Sequence, residues 1–435
     1  MALAFTFIGS MCSPRRIFSE AMRLAFAFLL PVLAANLCSE DWPRWRGLRG
    51  DGTWEAPKLS DKWPEDGLKR IWKRSISPGF SGVSVVDGRV FLMDRPDKKE
   101  HGETERVLCL DANSGDILWS FSYKAEYGDL DYGKGPRASV TVRFGKAYSL
   151  GAVGHAFCLD VKTGKKLWGR DLVKEEKARV PTWGFSAAPE SYDELMLYHV
   201  GARPTGSVLA LDAITGENRW RTGKEFAGYG PPVPITRGGR RELICWGPNH
   251  IVGLPIGGGD ELWKIPYKIT YGVAIATPIF REGIVLVCGY WHGSKAIKLG
   301  EEPSDAKILW EEEEALCGLM SQPLYRDGFC YLLDRRHGLT CFELKTGKIH
   351  WRDDHKLTPK DRNPQASLVW VGETNRALAL NANGELVLCE LTPKGYRELA
   401  RDQVTGKTWA HPAYSGNRVY ARSDREIVCL ELPSE

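Results

Sequence analysis

The sequence predicts an all-β fold, an eight-bladed β-propeller of four-stranded antiparallel blades, and three observations support it. A segment with Asp, a Thr-Gly pair and a closing Trp recurs at intervals of 41 to 52 residues. Each interval contains four short β-rich runs bounded by Gly, Asp or Asn, and helical periodicity nowhere persists for three turns. Such a repeat is typical of a propeller blade, which must stack on its neighbours to bury its apolar faces.

The repeated segment is well preserved in four copies and eroded in three. The preserved copies span 109–119, 158–168, 210–220 and 341–351, and the eroded copies span 253–263, 298–310 and 388–399. We expect each closing Trp to cover the gap between blades while its indole N–H bonds a backbone carbonyl. The Gly of each turn supplies a positive φ. The residues with this structural role are Trp72, Trp119, Trp168, Trp220, Trp263, Trp310, Trp351, Gly164, Gly216 and Gly347.

The two ends of the chain are predicted to share one blade. Residues 412–432 contain three strand-like runs without a fourth, whereas 68–73 form one such run with no others before it. Because a ring must close to remove its edges, the N-terminal strand is expected to pair with the C-terminal blade as its outermost strand. The chain then divides into a targeting segment at 1–39, an arm at 40–59 packed on the propeller, and the propeller at 60–435.

The N-terminus has the pattern of a secretory signal peptide. Residues 24–37 are almost wholly apolar and follow Arg23, and this run is short for a membrane span. Met22 is a candidate for the true start, and an uncleaved membrane anchor is the alternative. We therefore expect an exported protein, located in the periplasm or elsewhere in the cell envelope, with no transmembrane span in the mature chain.

Charge and cysteine usage narrow the classes of function. A net charge of +4 gives no reason to expect nucleic acid as a partner. The chain has 11 Cys but no Cys-x-x-Cys pair. Five of them precede a repeat turn in an apolar strand, so we expect small buried residues, few or no disulfides and no zinc site. These five are Cys109, Cys158, Cys341, Cys389 and Cys429.

The pattern Ala-x-Asp-x-x-Thr-Gly-x-x-x-Trp resembles the repeat of pyrroloquinoline-quinone (PQQ) dehydrogenase propellers and their non-enzymatic relatives. The resemblance covers nearly all of residues 60–435 and is specific for the fold rather than for an activity. The family contains alcohol and glucose dehydrogenases that carry PQQ and calcium. It also contains the periplasmic scaffold of the outer-membrane β-barrel assembly machinery, which has no cofactor. The opening at 42–47 looks like the start of exported PQQ-repeat proteins.

The enzymes of that family commonly use adjacent cysteines, a calcium ion held by Glu and Asn, and an Asp base. This chain has no adjacent cysteines. Asp129, Asp131 and Asn249 are expected on the appropriate face, but no spacing singles them out as ligands. The resemblance therefore favours a protein with no cofactor and no metal, and PQQ with calcium is the alternative.

Long connections between blades indicate a functional face opposite the short Thr-Gly turns. Aromatic residues in these connections are predicted to ring the mouth of the central channel and bind a ligand there, unless they plug it or pack between blades. These residues are Phe80, Trp183, Tyr229, Tyr271 and Trp409. Histidines in the turns between second and third strands are further candidates, as ligands or pH sensors, unless they are solvated turn residues. They are His155, His250, His292 and His337.

We expect a monomeric, non-catalytic scaffold that binds a protein or extended ligand on this loop face. One alternative is a PQQ- and calcium-dependent oxidoreductase or a degenerate relative of one. Another is a carbohydrate-binding or carbohydrate-active propeller that uses the aromatic mouth. No catalytic residue is identified, and the sequence leaves open whether the chain is an enzyme.

Overall fold

The computed structural model describes residues 40–318 and 320–435. The predicted targeting segment at 1–39 lies outside the described residues. The described chain forms eight sheets that follow one another in sequence, and seven have four strands while one has a fifth. This confirms the predicted eight-bladed propeller. First strands of neighbouring blades contact one another, β3 (Ser84–Val86) with β7 (Thr141–Arg143), so these strands lie nearest the central axis.

From β3 onwards the strands of each blade are consecutive in the chain, and each pairs antiparallel with the next one in its blade. Those up to the fourth blade are β1 (Thr53–Trp54), β2 (Arg70–Ser75), β3, β4 (Arg89–Asp94), β5 (Thr104–Asp111), β6 (Ile117–Lys124), β7, β8 (Lys146–Leu150), β9 (His155–Asp160), β10 (Lys166–Asp171), β11 (Glu190–Tyr192), β12 (Leu195–His199), β13 (Val208–Asp212), β14 (Asn218–Thr222), β15 (Val233–Arg237), β16 (Arg240–Trp246), β17 (His250–Pro255) and β18 (Trp263–Pro266). The last four blades contain β19 (Ile279–Arg281), β20 (Ile284–Gly289), β21 (Gly293–Leu299), β22 (Ala306–Glu312), β23 (Leu324–Arg326), β24 (Phe329–Asp334), β25 (Gly338–Glu343), β26 (Ile349–Arg352), β27 (Ala366–Val371), β28 (Arg376–Asn381), β29 (Glu385–Thr392), β30 (Gly395–Gln403), β31 (Ala413–Ser415), β32 (Arg418–Arg422) and β33 (Glu426–Glu431).

Helical structure is confined to short connections. The described chain contains α1 (Lys98–His101), α2 (Leu172–Glu176) and a single 3-10 turn at Thr270–Gly272. Among the described residues, no helix has the length and apolar character needed to cross a bilayer.

The ring closes through the N-terminal strand, as the sequence predicts. β2 pairs antiparallel with β33, and Trp72 lies opposite Cys429 in that register. The last blade therefore has the order β2-β33-β32-β31, with β2 outermost. A closed ring leaves no unpaired edge between its first and last blades.

Five of the seven closing Trp residues join their own blade to the turn of the following blade. The prediction is wrong for Trp263, whose buried Nε1 has no hydrogen-bond partner among the described residues because its ring packs over Gly253 of its own blade. The indole Nε1 of Trp168 donates to the carbonyl oxygen of Ala213 at 3.2 Å. The ring lies so close to Gly216 that a Cβ there would be 2.7 Å from Cδ2 of Trp168. Gly216 also has a φ of +74°, which favours glycine. The same indole-to-carbonyl bond is made by Trp72, Trp119, Trp310 and Trp351, at 2.8 to 3.1 Å.

The Asp of the repeat holds the turn itself. Oδ1 of Asp212 accepts the amides of Ile214 and Thr215, both at 2.9 Å. These bonds, that from the Thr215 amide first, lower the pKa of Asp212 because they stabilise the charged carboxylate. The carboxylate is thus a turn-forming group in an Asx-type arrangement.

The cysteines of the propeller pack in its core. The nine in the described residues are all buried, with free thiols. Burial raises the pKa of Cys109, Cys158 and Cys341 to about 12, because the thiolate would lose its hydration. These thiols are therefore small packing groups rather than nucleophiles.

The N-terminal arm packs against the inner strands on the side of the Thr-Gly turns. β1 adds in parallel to β27, with Thr53 opposite Trp370. The indole of Trp54 is fully buried and stacks on Tyr414 with ring centroids 4.9 Å apart. Trp42 packs edge-on against the same Tyr414 at 5.4 Å. The arm is therefore tied to the seventh and eighth blades by its own tryptophans.

Candidate functional site

A cavity of about 310 Å³ lies at the mouth of the channel, on the face opposite the Thr-Gly turns. We call it the mouth cavity. Most of its lining comes from the connections that precede the inner strands. Every blade contributes to the lining, and these connections lie outside the repeated segment. Its aromatic lining residues are Trp45, Phe80, Tyr132, Trp183, Tyr229, Tyr271, Tyr290, Trp291 and Trp409.

The aromatic side chains form a continuous arc around one side of the mouth cavity. Ring centroids are 5.9 Å apart between Phe80 and Trp409, and 5.8 Å between Trp409 and Tyr132. Tyr132 lies 6.3 Å from Trp183, which lies 6.4 Å from Tyr271. These separations fall in the range of mutually stabilising aromatic pairs. Because each ring of the arc contacts the next, the arc offers a ligand one unbroken apolar surface.

Two residues of the arc are exposed and hold left-handed backbone. Tyr132 and Tyr271 both have φ of +54°, and their exposed fractions are 50% and 69%. A bulky residue in this region costs on the order of 1–3 kcal/mol, and such strain clusters at ligand sites. The surrounding connections therefore hold both rings at the rim at the expense of local backbone energy.

The floor of the mouth cavity comes from the N-terminal arm. Nε1 of Trp45 donates to Oγ1 of Thr277 at 3.0 Å. The indole also packs on the His411 ring, with centroids 4.3 Å apart. Nδ1 of His411 and the Ser367 hydroxyl are joined by a hydrogen bond of 2.9 Å. Trp45 thus bridges the fifth and eighth blades across the channel.

Buried charged groups fix the arm on either side of Trp45. Arg44 pairs with Glu190 at the start of β11. The guanidinium of Arg46 donates to the carbonyl oxygens of Asp51 at 2.6 Å and Pro323 at 3.2 Å. Burial lowers the pKa of Arg46 to about 10, since the charged group loses its hydration. These bonds hold the floor in one position.

Polar side chains line the opposite side of the mouth cavity. Oε1 of Gln322 accepts the amide of Thr277 at 2.7 Å. Oδ1 of Asn363 accepts the Tyr290 hydroxyl at 3.0 Å. Arg362 precedes Asn363 and is exposed. This sector provides hydrogen-bonding groups facing the aromatic arc.

A second arginine sits within the aromatic arc. The Arg137 guanidinium lies 5.6 Å from the ring centroid of Phe80 and 5.7 Å from that of Tyr127. It donates to the carbonyl oxygens of Asp131 at 2.9 Å and Tyr132 at 2.8 Å. Burial lowers the pKa of Arg137, but a guanidinium remains charged at any physiological pH.

The structure gathers the five predicted aromatic residues and separates the four predicted histidines from them. Phe80, Trp183, Tyr229, Tyr271 and Trp409 all line the mouth cavity, and the histidines do not. Each histidine has its own neighbour instead. Those neighbours are Asp171 for His155, Glu225 for His250, Thr270 for His292 and Asp334 for His337. Among the described residues, no group of His, Cys, Asp or Glu is arranged to hold a metal ion.

Sequence reasoning did not select several lining residues. Tyr132 and Arg362 lie in long connections, a signal that was present in the spacing. Trp45 lies in the arm, which the sequence predicts only to pack on the propeller, and nothing local indicates that this residue reaches the channel. Gln322 and His411 have no sequence signal, because only the closed ring brings their blades to the same cavity.

The lining residues do not fit PQQ with calcium. The described residues around the mouth cavity include no Asp, Glu or Cys. Calcium takes oxygen ligands, carboxylates foremost, and the resemblance to the dehydrogenases implies a carboxylate base as well. The polar groups that line this cavity are indoles, phenols, amides, guanidinium groups, the Ser186 hydroxyl and the His411 imidazole, so they include neither a carboxylate ligand nor a carboxylate base.

Fold and cavity together define an eight-bladed propeller of the PQQ-like repeat class with an aromatic channel mouth. A family model described as outer membrane protein assembly factor BamB matches residues 64–177 and 103–353. These matches cover more than half of the 435 residues, and the chain belongs to that family. The resemblance drawn from the repeat is thereby confirmed.

Two relatives carry the same description. Outer membrane protein assembly factor BamB of Moranella endobia (strain PCIT) is 23% identical over 317 residues, which are 68% of this chain and 74% of that protein. The protein of that name from Xanthomonas campestris pv. campestris is 29% identical over 143 residues, 33% of this chain and 34% of its own length.

Solved structures share the fold. BamB from Moraxella catarrhalis aligns with a TM-score of 0.56 at 15% identity, covering 84% of this chain and 100% of that one. Quinohemoprotein alcohol dehydrogenase ADHIIG from Pseudomonas putida HK5 aligns with a TM-score of 0.62 at 12% identity, covering 91% and 80%. At these identities the likeness concerns the propeller alone, so an activity must be argued from the site.

Proposed function

We propose that this chain is an exported, monomeric, non-catalytic propeller of the cell envelope that binds a protein or another extended ligand across its channel mouth. The observation that carries the proposal is the lining of the mouth cavity, which is aromatic and has no carboxylate among its described residues. Large rigid aromatic surfaces are typical of binding sites. Membership in the family of an outer membrane protein assembly factor supports a protein partner.

Photo-crosslinking in the cell tests this proposal. A photoreactive amino acid replaces Tyr271, which is 69% exposed at the mouth, or Phe144, which is 41% exposed on the opposite face. We expect discrete crosslinked products from position 271 and none from position 144. Products from position 144 alone would place binding on the other face and overturn the proposal.

Activity measurements test the non-catalytic part of the same proposal. The purified protein is incubated with PQQ and calcium and supplied with alcohols or sugars and an electron-accepting dye. We expect no dye reduction, because the described lining of the mouth cavity has no carboxylate. Sustained turnover would show an oxidoreductase and contradict the non-catalytic assignment.

A carbohydrate is the second candidate ligand, favoured by the stacking surface of the aromatic arc. Oligosaccharide binding would quench tryptophan fluorescence, and Trp183→Ala would abolish the quenching if the sugar stacks at the mouth. Quenching that persists in this variant would place the sugar elsewhere.

A further inference from the structure

The charged side chains at the mouth cavity leave little net charge inside it. The Arg137 guanidinium donates to the carbonyl oxygens of Asp131 and Tyr132. The buried carboxylate of Glu105 acts on the same guanidinium and opposes the decrease that burial causes in its pKa. Arg362 is exposed, so solvent and salt screen its charge. The cavity therefore accepts an uncharged ligand group without leaving a buried charge unpaired.

The side-chain oxygens of the cavity that only accept hydrogen bonds are occupied, whereas several groups that only donate are free. Oε1 of Gln322 and Oδ1 of Asn363 already accept bonds from within the protein. An indole N–H donates and never accepts. Three indoles of the lining make no N–H hydrogen bond to any described residue, those of Trp183, Trp291 and Trp409. A ligand that brings acceptors and few donors therefore matches these walls.

Proline is the amino acid that meets this condition. Any other residue brings one backbone N–H for each carbonyl, and a buried N–H without an acceptor is unfavourable. Sugar hydroxyls likewise donate as well as accept. A proline residue has a carbonyl oxygen and no N–H, and its pyrrolidine ring adds apolar surface that packs on aromatic rings.

The spacing of the aromatic rings suits a chain in the polyproline II conformation. Such a chain has no internal hydrogen bonds, so its carbonyl oxygens are free to accept, and two residues advance it by about 6 Å. Ring centroids are 6.3 Å apart between Tyr132 and Trp183, and 6.4 Å apart between Trp183 and Tyr271. At about 310 Å³ the cavity admits a short extended segment rather than a folded element.

Resting on the proposed function, we infer that the segment of the protein partner that binds the mouth cavity is proline-rich and extended as polyproline II. Its pyrrolidine rings pack between the rings of the aromatic arc, and its carbonyl oxygens accept from the free indole N–H groups. This conformation exists before binding, so little conformational entropy is lost in the complex. Aromatic-lined grooves of other proteins bind proline-rich segments on the same physical basis.

Calorimetric titration with three uncharged peptides of equal length tests the inference. The probes are the acetylated amides of octaproline, of octasarcosine, and of the sequence Ala-Ala-Gln-Ala repeated twice. Octasarcosine also lacks N–H groups but has no ring, and the alanine peptide has an N–H at every residue. We expect octaproline to bind at least about tenfold more tightly than either control. Equal affinities, or no binding of octaproline at about 1 mM, would overturn the inference.

Tryptophan variants locate the contacts. Trp183→Phe, Trp291→Phe and Trp409→Phe each keep an aromatic ring and remove one free N–H. We expect at least one of them to weaken octaproline binding about fivefold, the effect of one neutral hydrogen bond. Trp220→Phe is the matched control, since this half-buried indole lies outside the cavity and its N–H makes no hydrogen bond to a described residue. Unchanged affinity in all three variants, or an equal loss in the control, would contradict the proposed contacts.

Crosslinking from position 271 separates this inference from the proposed function. Mass spectrometry of the crosslinked product identifies the partner peptide, and we expect a segment with several prolines within about six residues of the attachment point, two turns of polyproline II. A discrete partner whose attached segment lacks prolines would retain the proposed function and reject this inference. Crosslinks from the opposite face alone would reject both.

Discussion

Gly216 shows how one residue serves two blades. Its φ of +74° forms the hairpin of its own blade, and its missing side chain leaves room for Trp168 of the preceding blade. The Thr-Gly repeat is thus a contact between blades as well as a turn. The same relation holds between Trp119 and Gly164, and between Trp310 and Gly347.

A pair of glycine substitutions separates these two roles. Gly145 also has a positive φ, +66°, but a Cβ there would meet nothing within 4 Å. We expect Gly145→Ala to lower the free energy of unfolding by about 1 kcal/mol through backbone strain alone. Gly216→Ala should cost about 3 kcal/mol, because the added methyl also displaces the Trp168 ring. Denaturant unfolding measures both, and equal losses would contradict the interblade role.

His411 is expected to make the free energy of unfolding decrease as the pH falls. Burial, with repulsion from Arg46, lowers the pKa of His411 from 6.5 to about 3. Between those values the unfolded chain binds the proton that the folded protein excludes, so the free energy of unfolding decreases as pH falls from about 6.5 towards 3. The slope is at most about 1.4 kcal/mol per pH unit. Unfolding measured from pH 7 to pH 4 should show a shallower slope in His411→Gln.

The control for this pH dependence is His101→Gln, at an exposed histidine of α1. This variant should show the same change of unfolding free energy with pH as the unsubstituted protein. If His411→Gln retained that slope as well, the acid sensitivity would belong to other groups, and His411 would be protonated as readily in the folded protein as in the unfolded chain.

At the scale of elements, the arm behaves as an additional strand that its tryptophans anchor. The Trp370 amide donates to Gly52 at 2.8 Å, and the Gly372 amide donates to Trp54 at 2.7 Å. Trp54→Ala should destabilise this region by about 3–5 kcal/mol, because the indole is fully buried. Hydrogen exchange at Trp370 and Gly372 should accelerate in the variant. Trp291→Ala, at a 37% exposed ring, should leave both amides unchanged; acceleration there too would contradict local anchoring.

The sequence predicts the repeated elements far better than the cavity. Asp212, Gly216 and Trp220 occupy fixed positions in a local pattern, so strand order, turn and blade count follow from residues near one another. Trp45 and His411 meet only because the chain has gone once around the ring. No local sequence pattern predicts the contact between these two residues. The left-handed backbone of Tyr132 cannot be predicted either, because tyrosine disfavours that conformation.

For the whole molecule, closure depends on one strand pair, because β2 and β33 come from opposite ends of the chain. All other blades are built from consecutive strands, apart from the added β1. Separation of β2 from β33 would expose an unpaired strand edge, which is a template for association with other copies. The ring therefore has a single position where weakened packing changes its topology.

Trp72 and Trp310 provide a matched test of this idea. Both indoles donate to the following blade, at 2.9 Å from Trp72 to Ala112 and 2.8 Å from Trp310 to Leu344. Each Trp→Ala change should cost about 3–5 kcal/mol of stability. Only Trp72→Ala loosens the closing pair, so it alone should expose the β33 edge and form oligomers that increase with concentration in light scattering. Oligomers of both variants would indicate general destabilisation, and a monomeric Trp72→Ala protein would show that β2 holds the ring without its tryptophan.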